Sequence, residues 1–171
     1  MLKAGVLGAG HLGKIHLRLL QESKKYELVG FYDVDESNGR KIEEELGYTY
    51  FHNLDDLIAA VDVVDVVTPT LSHFETGKKA IMAGKHLFIE KPITNTVEEA
   101  EALVALAKEH GVKGQVGHVE RFNPAFMAVA PKIDNPMFIE AHRLAEFNPR
   151  GTDAVSYTHL RAHETVLDLV C

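Results

Sequence analysis

The sequence predicts an α/β protein, a doubly wound parallel sheet followed by the first strand of a truncated second α/β domain. Three observations lead there. Short apolar runs alternate with segments of helical spacing, as in βαβ units. The run Val63-Val64-Asp65-Val66-Val67 is almost continuously β-branched, as expected of a strand buried on both faces. A glycine-rich turn, Gly8 to Gly13, joins the first apolar run to the first helical one. At 171 residues, 46% hydrophobic and 25% charged, the chain can bury one good core.

Taken in order, Ala4 to Leu7 is the first strand, and His11 to Gln21 a helix spaced by Leu12, Ile15, Leu19 and Leu20. Leu28 to Tyr32 is a second strand ending at Asp33. Ser37 to Leu46 is a helix stopped by Gly47. Tyr48 to Phe51 reads as a short third strand, and Asn53 caps a helix running to Ala60. After the fourth strand, Val63 to Val67, a helix from Leu71 to Met82 is closed by Gly84. His86 to Ile89 is the fifth strand. Thr96-Val97-Glu98-Glu99 is a capping box opening a helix to His110, stopped by Gly111. Lys113 to Val116 is the sixth strand. Phe122 to Ala130 is helical, with Asn123 and Pro124 at its start. Met137 to Leu144 alternates like a strand wet on one face, the first of a second domain. The domains are expected at 1–121 and 122–153, with 154–171 set apart for reasons given below.

The net charge of −7 leaves no basic footprint for nucleic acid. No run of about 18 apolar residues is present, so no membrane span is expected. The start enters a strand pattern directly and lacks the features of a signal peptide. With one cysteine no intrachain disulfide forms, and a cytoplasmic location is the default. No Cys/His cluster has metal spacing, so no metal is implied.

Gly8-Ala9-Gly10-His11-Leu12-Gly13 carries the chemistry. Gly8 permits a tight turn, Gly10 lets backbone approach a pyrophosphate, and Gly13 lets helix pack on strand. The helix start offers free N–H groups and roughly half a positive charge to the phosphates. Asp33 follows Gly13 by about twenty residues, at the end of the second strand. Its carboxylate would accept hydrogen bonds from ribose hydroxyls and repel a 2′-phosphate, so NAD is favoured and NADP disfavoured. A lone glycine motif would be a weak signal; the strand–turn–helix context makes it a dinucleotide-binding Rossmann fingerprint.

Further motifs follow the later strands: Val67-Thr68-Pro69-Thr70-Leu71-Ser72-His73, then Glu90-Lys91-Pro92, then Gly117-His118-Val119-Glu120-Arg121-Phe122-Asn123-Pro124. With the glycine turn, they resemble the glucose–fructose oxidoreductase / inositol dehydrogenase / rhizopine-catabolism family over residues 1 to about 153. Within it, the last motif is most similar to the UDP-N-acetylglucosamine 3-dehydrogenase-like branch. The resemblance implies an NAD-dependent sugar dehydrogenase. A hydride would pass between the nicotinamide and a secondary hydroxyl of a sugar or nucleotide-sugar, and the parent protein would be a homo-oligomer. It also implies that Gly8, Gly10, His11, Leu12 and Gly13 contact the dinucleotide phosphates and that Asp33 holds the adenosine ribose. Thr68, Pro69 and His73 would line the path to the nicotinamide, with Glu90 and Lys91 beside it and Lys91 catalytic. A lysine suits alcohol oxidation, since a cation stabilises the developing oxyanion and can relay the proton. In isolation Lys91 would read as a solvated loop residue. A cis Lys91–Pro92 bond would be unsurprising.

His118 and Arg121 have two readings, contact with the sugar or its phosphate, and an inter-domain polar network. His142 and Arg143 read as a solvated sheet edge, His16 and His110 as surface helix residues, and Phe122, Phe126 and Phe138 as core. The family's catalytic histidine is expected beyond Asp153.

Residues from Val155 onward are identified as a translated sequencing adapter. The frame GTC-TCT-TAT-ACA-CAT-CTC-CGA-GCC-CAC-GAG gives Val-Ser-Tyr-Thr-His-Leu-Arg-Ala-His-Glu, and GAT-CTC-GTA-TGC after the index gives Asp168-Leu169-Val170-Cys171. The competing reading is a terminal helix with His159 and His163 paired as a metal site. The frame accounts for every residue, so 154–171 are expected to be non-native and to carry no function. Besides the sugar dehydrogenase, two other functions fit: an NAD-binding module that lacks half its site, and a biliverdin-reductase-like enzyme sharing this front half.

Overall fold

The structure, a computed structural model, describes residues 1–138 and 140. One compact unit is Met1–Gly117, ending ahead of the boundary expected after residue 121; the described residues from His118 on belong to a second. The first unit is a parallel sheet of five strands: β1 (Leu2–Leu7), β2 (Tyr26–Tyr32), β3 (Val63–Val66), β4 (His86–Ile89) and β5 (Gly114–Val116). Their order is β2-β1-β3-β4-β5. The chain leaves β1 to one side for β2 and returns to its other side for β3. Between the carboxyl ends of β1 and β3 lies the switch point where such sheets bind ligands.

Five helices connect the strands: α1 (His11–Glu22), α2 (Glu36–Leu46), α3 (Leu54–Ala60), α4 (His73–Met82) and α5 (Val97–Glu109). Strand alternation sends neighbouring residues into different cores. Val6 joins Leu17 of α1, Phe31 and Ile42 of α2 in one cluster. Leu7, Val64, Val66, Leu87 and Ile89 join Leu57 of α3, Ile81 of α4 and Leu103 of α5 in the other. Asp65, between Val64 and Val66, is therefore turned toward α1.

The expected punctuation is present. Asn53 caps α3 and Thr96 with Glu99 forms a reciprocal capping box on α5; α2, which starts one residue ahead of the expected Ser37, is capped by Asp35. A cap of this kind contributes about 1 kcal/mol. Gly47, Gly84 and Gly111 take positive φ after α2, α4 and α5.

Three expectations are corrected. Tyr48 to Phe51 forms a single bridge, Tyr50 to Phe31, instead of a strand. Gly47 ends α2 and Asn53 caps α3, leaving too short a connection for a ladder. The helix expected from Leu71 starts at His73, preceded by a 3-10 turn at Thr70–Ser72 whose Ser72 hydroxyl donates to the Pro69 carbonyl. The strand expected over 137–144 is absent at Met137, Phe138 and Glu140; the rest of that span, His142 and Arg143 included, lies outside the described residues. So do residues 154–171.

In the second unit, a 3-10 turn (Val119–Phe122) leads to α6 (Pro124–Val129), capped by Asn123. Phe122, Phe126 and Phe138 are exposed and not core, because no strand is present among the described residues of this unit for α6 to cover.

Candidate functional site

The glycine turn has the geometry its sequence demands. Gly8 has φ +91°, and a Cβ there would stand 2.8 Å from the Val67 carbonyl oxygen of the neighbouring loop. A Cβ on Gly13 would land on the Gly8 carbonyl oxygen, so α1 sits directly on the turn. At Gly10, the N-cap of α1, nothing lies within 4 Å of an added Cβ, and no side chain caps the helix. The first-turn amides of α1, which a helix leaves without intrahelical partners, therefore have no side-chain cap at the positive end of the helix. That donor set and that clearance fit the pyrophosphate of a dinucleotide.

Asp33 closes the next strand and is 9% exposed. Its Oδ2 accepts from the Ala9 N–H at 2.8 Å and from Asn38 Nδ2 at 3.2 Å, and its Oδ1 accepts from the Asp35 N–H at 2.9 Å. Asn38 also donates to the Ala9 carbonyl, and the Tyr50 hydroxyl donates to the Asp33 carbonyl. The acid thereby ties the glycine turn to the β2–α2 connection. Beside it lies a cleft of about 370 Å³ lined by Tyr32, Asp33, Glu36, Arg40, Tyr50 and His52. The Arg40 guanidinium is engaged by Glu36 at 2.6 Å, which holds the Glu36 carboxyl below its ordinary range.

After β3, Thr68 and Pro69 border the switch point. Thr68 Oγ1 is buried without a hydrogen-bond partner. His73 is 1% exposed, with Nδ1 on the Pro92 carbonyl and Nε2 on the Thr68 carbonyl, both at 2.8 Å. It does not line an open path, as the sequence had implied. It is a strut joining the loop after β3 to the loop after β4, because both its nitrogens are spent on backbone. After β4, the Lys91–Pro92 bond is cis, Lys91 is exposed, and the Lys91 N–H donates to Glu90 Oε2 at 3.1 Å.

His16 is a second correction, for it is not a surface residue. Its Nδ1 lies 2.9 Å from Asp65 Oδ2 on β3, and its Nε2 lies 3.6 Å from Glu90 Oε1. Sequence reading missed His16, Asp65 and Asn38. A carboxylate within a β-branched run was the available signal, since a buried charge requires a partner. The expected site residues of the first unit thus gather at the carboxyl ends of β1, β2, β3 and β4. His118 and Arg121 are exposed residues of the second unit.

Residues 2–118 match the profile of an oxidoreductase family with NAD-binding Rossmann fold. The chain is 36% identical to UDP-N-acetylglucosamine 3-dehydrogenase of Acidithiobacillus ferrooxidans, an alignment covering 99% of this chain and 54% of that one. The solved structure of that enzyme superposes with a TM-score of 0.82 and 37% identity, over 89% of this chain and 50% of that one. Glucose-6-phosphate 3-dehydrogenase of Bacillus subtilis is 33% identical over 71% of this chain and 35% of its own. GenD2 from gentamicin A biosynthesis, solved in complex with NAD, gives a TM-score of 0.72 at 28% identity, over 77% of this chain and 38% of that one. The chain therefore spans between a third and about half of the length of these relatives. Among the described residues, no helix is long and apolar enough to cross a membrane.

Proposed function

Because this chain belongs to the oxidoreductase family with NAD-binding Rossmann fold, that of glucose–fructose oxidoreductase and inositol dehydrogenase, we propose that it is the cofactor half of an NAD-dependent sugar dehydrogenase. The whole protein would transfer a hydride between the nicotinamide and a secondary hydroxyl of a sugar or nucleotide-sugar. The observation that carries this reading is the convergence of the open α1 N-terminus, Asp33, Thr68 and the Glu90–Lys91 turn at one end of the sheet. The names of the relatives support a sugar or nucleotide-sugar over other alcohols.

In this reading Gly8, Gly10, His11, Leu12 and Gly13 hold the pyrophosphate, and Asp33 the adenosine ribose. Bound NAD supplies the hydride acceptor. Thr68 and Pro69 border the nicotinamide, with His73 holding their loop from behind. Lys91 stabilises negative charge on the reacting oxygen and takes up or returns its proton, its backbone pinned by the Glu90 carboxylate. Two carboxylates, Asp33 and Glu36, border the adenosine cleft, and Glu36 already occupies Arg40. A 2′-phosphate would meet negative charge there, which supports NAD over NADP. His118 and Arg121 are the chain's candidate contacts to the sugar. The second reading, NAD binding without turnover, applies to these 171 residues taken alone, since they span 54% of the Acidithiobacillus relative.

NADH fluorescence titration of the 171-residue chain checks both. Binding should be measurable, NADPH should bind at least about tenfold more weakly, and no sugar should be oxidised. Equal affinity for the two coenzymes would overturn the assignment to Asp33 and Glu36, and turnover by the chain alone would overturn the second reading.

We also propose that residues 154–171 are translated adapter. The codon frame supports it. The alignment with the Acidithiobacillus enzyme covers 99% of the chain and so runs into this stretch, where Val166-Leu167-Asp168-Leu169 has an apolar pattern of its own. Adapter-free sequencing across codon 153 should read into a second domain carrying a histidine-bearing helix. Recovery of the Ser156-to-Thr165 coding sequence from genomic DNA would refute the adapter.

A further inference from the structure

We infer that His16 is a positioning residue, an imidazolium clamped between Asp65 and Glu90 that holds the Glu90–Lys91 turn at the end of the sheet. The clamp rests on the reading of that turn as a cofactor contact only for its effect on binding; its own geometry is independent of it.

Asp65 is 6% exposed in the middle of an apolar strand, and its Oδ1 has no hydrogen-bond partner. A carboxylate so placed persists only with a partner. The partner is His16 Nδ1 at 2.9 Å. The same ring points Nε2 at Glu90 Oε1, 3.6 Å away, a distance for charge attraction more than for a hydrogen bond. Phe88, paired with Asp65 across the strands, meets the ring edge-on, with centroids 5.9 Å apart. Gly117 leaves room for the Glu90 carboxylate; a Cβ there would stand 2.5 Å from Oε1. Among the described residues no group of three metal-ligating side chains converges, so the arrangement is a string with histidine at its centre and not a metal cage.

The protonation state of His16 decides what Glu90 feels. A neutral imidazole that donates Nδ1–H to Asp65 turns the Nε2 lone pair toward Glu90, and the two repel. An imidazolium donates on both sides and attracts both acids. Burial by itself lowers the His16 pKa, but the hydrogen bond and charge of Asp65, with the charge of Glu90, outweigh it and raise it above 6.5. Burial raises the Asp65 carboxyl, and His16 only partly pulls it back. A histidine whose folded pKa is raised contributes stability that is complete below its unfolded value of 6.5 and lost as pH rises through the folded value.

Asp65 and Glu90 are the charges acting on the His16 ring. The residues one turn away on α1, Leu12, Gly13, Leu19 and Leu20, are uncharged. Lys3 on β1 and Glu27 on β2, the strands under α1, are exposed near the opposite ends of those strands. Lys91 follows Glu90 on the turn itself.

The test is an NMR titration of the full 171-residue chain between about pH 5 and 9, following the His16 ring and the Lys91 amide, which is bonded to Glu90. The ring should titrate above the ordinary histidine range, and the Lys91 amide should shift with the same midpoint. In His16→Gln that midpoint should vanish. NADH affinity should fall by about tenfold across the same step in the native chain and stay flat in His16→Gln. A ring that titrates at or below 6.5, or an amide indifferent to it, overturns the clamp, and the native chain alone decides this if the variant fails to fold. Coupled titration with unchanged NADH affinity supports the clamp and overturns the placement of the turn at the cofactor.

Discussion

Alanine in place of Lys91 should lower turnover of the full-length protein by about a hundred- to ten-thousand-fold while changing NAD affinity by less than about tenfold. In the proposed reading the Lys91 ammonium would stabilise charge on the reacting oxygen at the end of β4, whereas the pyrophosphate would be held at the far side of the switch point, on α1. Glu90 accepts from the Lys91 backbone N–H and not from its side chain in that contact, so the turn keeps this tether when the side chain is removed. Steady-state kinetics beside NADH titration separate the two effects. Parallel losses in both would contradict an acid–base role and leave Lys91 a binding residue.

Gly13→Ala should destabilise the chain by about 3 kcal/mol and abolish dinucleotide binding. The added Cβ would fall on the Gly8 carbonyl oxygen. Both are backbone-fixed, so neither can rotate away, and α1 must lift off β1. That move draws Leu17 from its contact with Val6 and Phe31 and disperses the amides at the helix start. Gly10→Ala provides the contrast. Nothing lies within 4 Å of a Cβ there, so its urea midpoint should shift by less than about 0.5 kcal/mol in equivalent stability. Binding should still weaken, because the methyl would occupy the approach proposed for the phosphate. Equal stability losses in the two variants would refute the distinction between packing glycine and ligand glycine.

The fold was legible where one physical signal dominated. Val63 to Val67 announced a strand covered on both faces, and Gly8 to Gly13 announced the turn and the helix docked on it, both as found. The caps at Asn53 and Thr96 were local hydrogen-bonding patterns and so readable from spacing. Tyr48 to Phe51 misled because alternation reports a preference for extended backbone and not the length available for pairing. At the site, spacing places the motif residues after their strands, but it does not show which residues face them from distant elements. His16 is 49 residues from Asp65, and no helical or strand period links them. His73 lay within a motif, yet its burial on two carbonyls depends on where the cis turn falls, which spacing does not reveal.

Asp33 has a consequence for how coenzyme choice can evolve or be engineered. The carboxylate that borders the proposed adenosine cleft also rivets the glycine turn through Ala9 and organises the start of α2 through Asp35 and Asn38. On the proposed reading, selectivity and loop order are inherited as one trait, since exchanging the acid for a small neutral residue to admit a 2′-phosphate removes one hydrogen bond from the glycine turn and two from the β2–α2 connection. Val34 next to it is 89% exposed and holds no such role among the described contacts. On that reading a lineage drifting toward NADP has its low-cost route through positions 34 and 36, with the aspartate retained as scaffold after the discriminating function proposed for it has been overwritten.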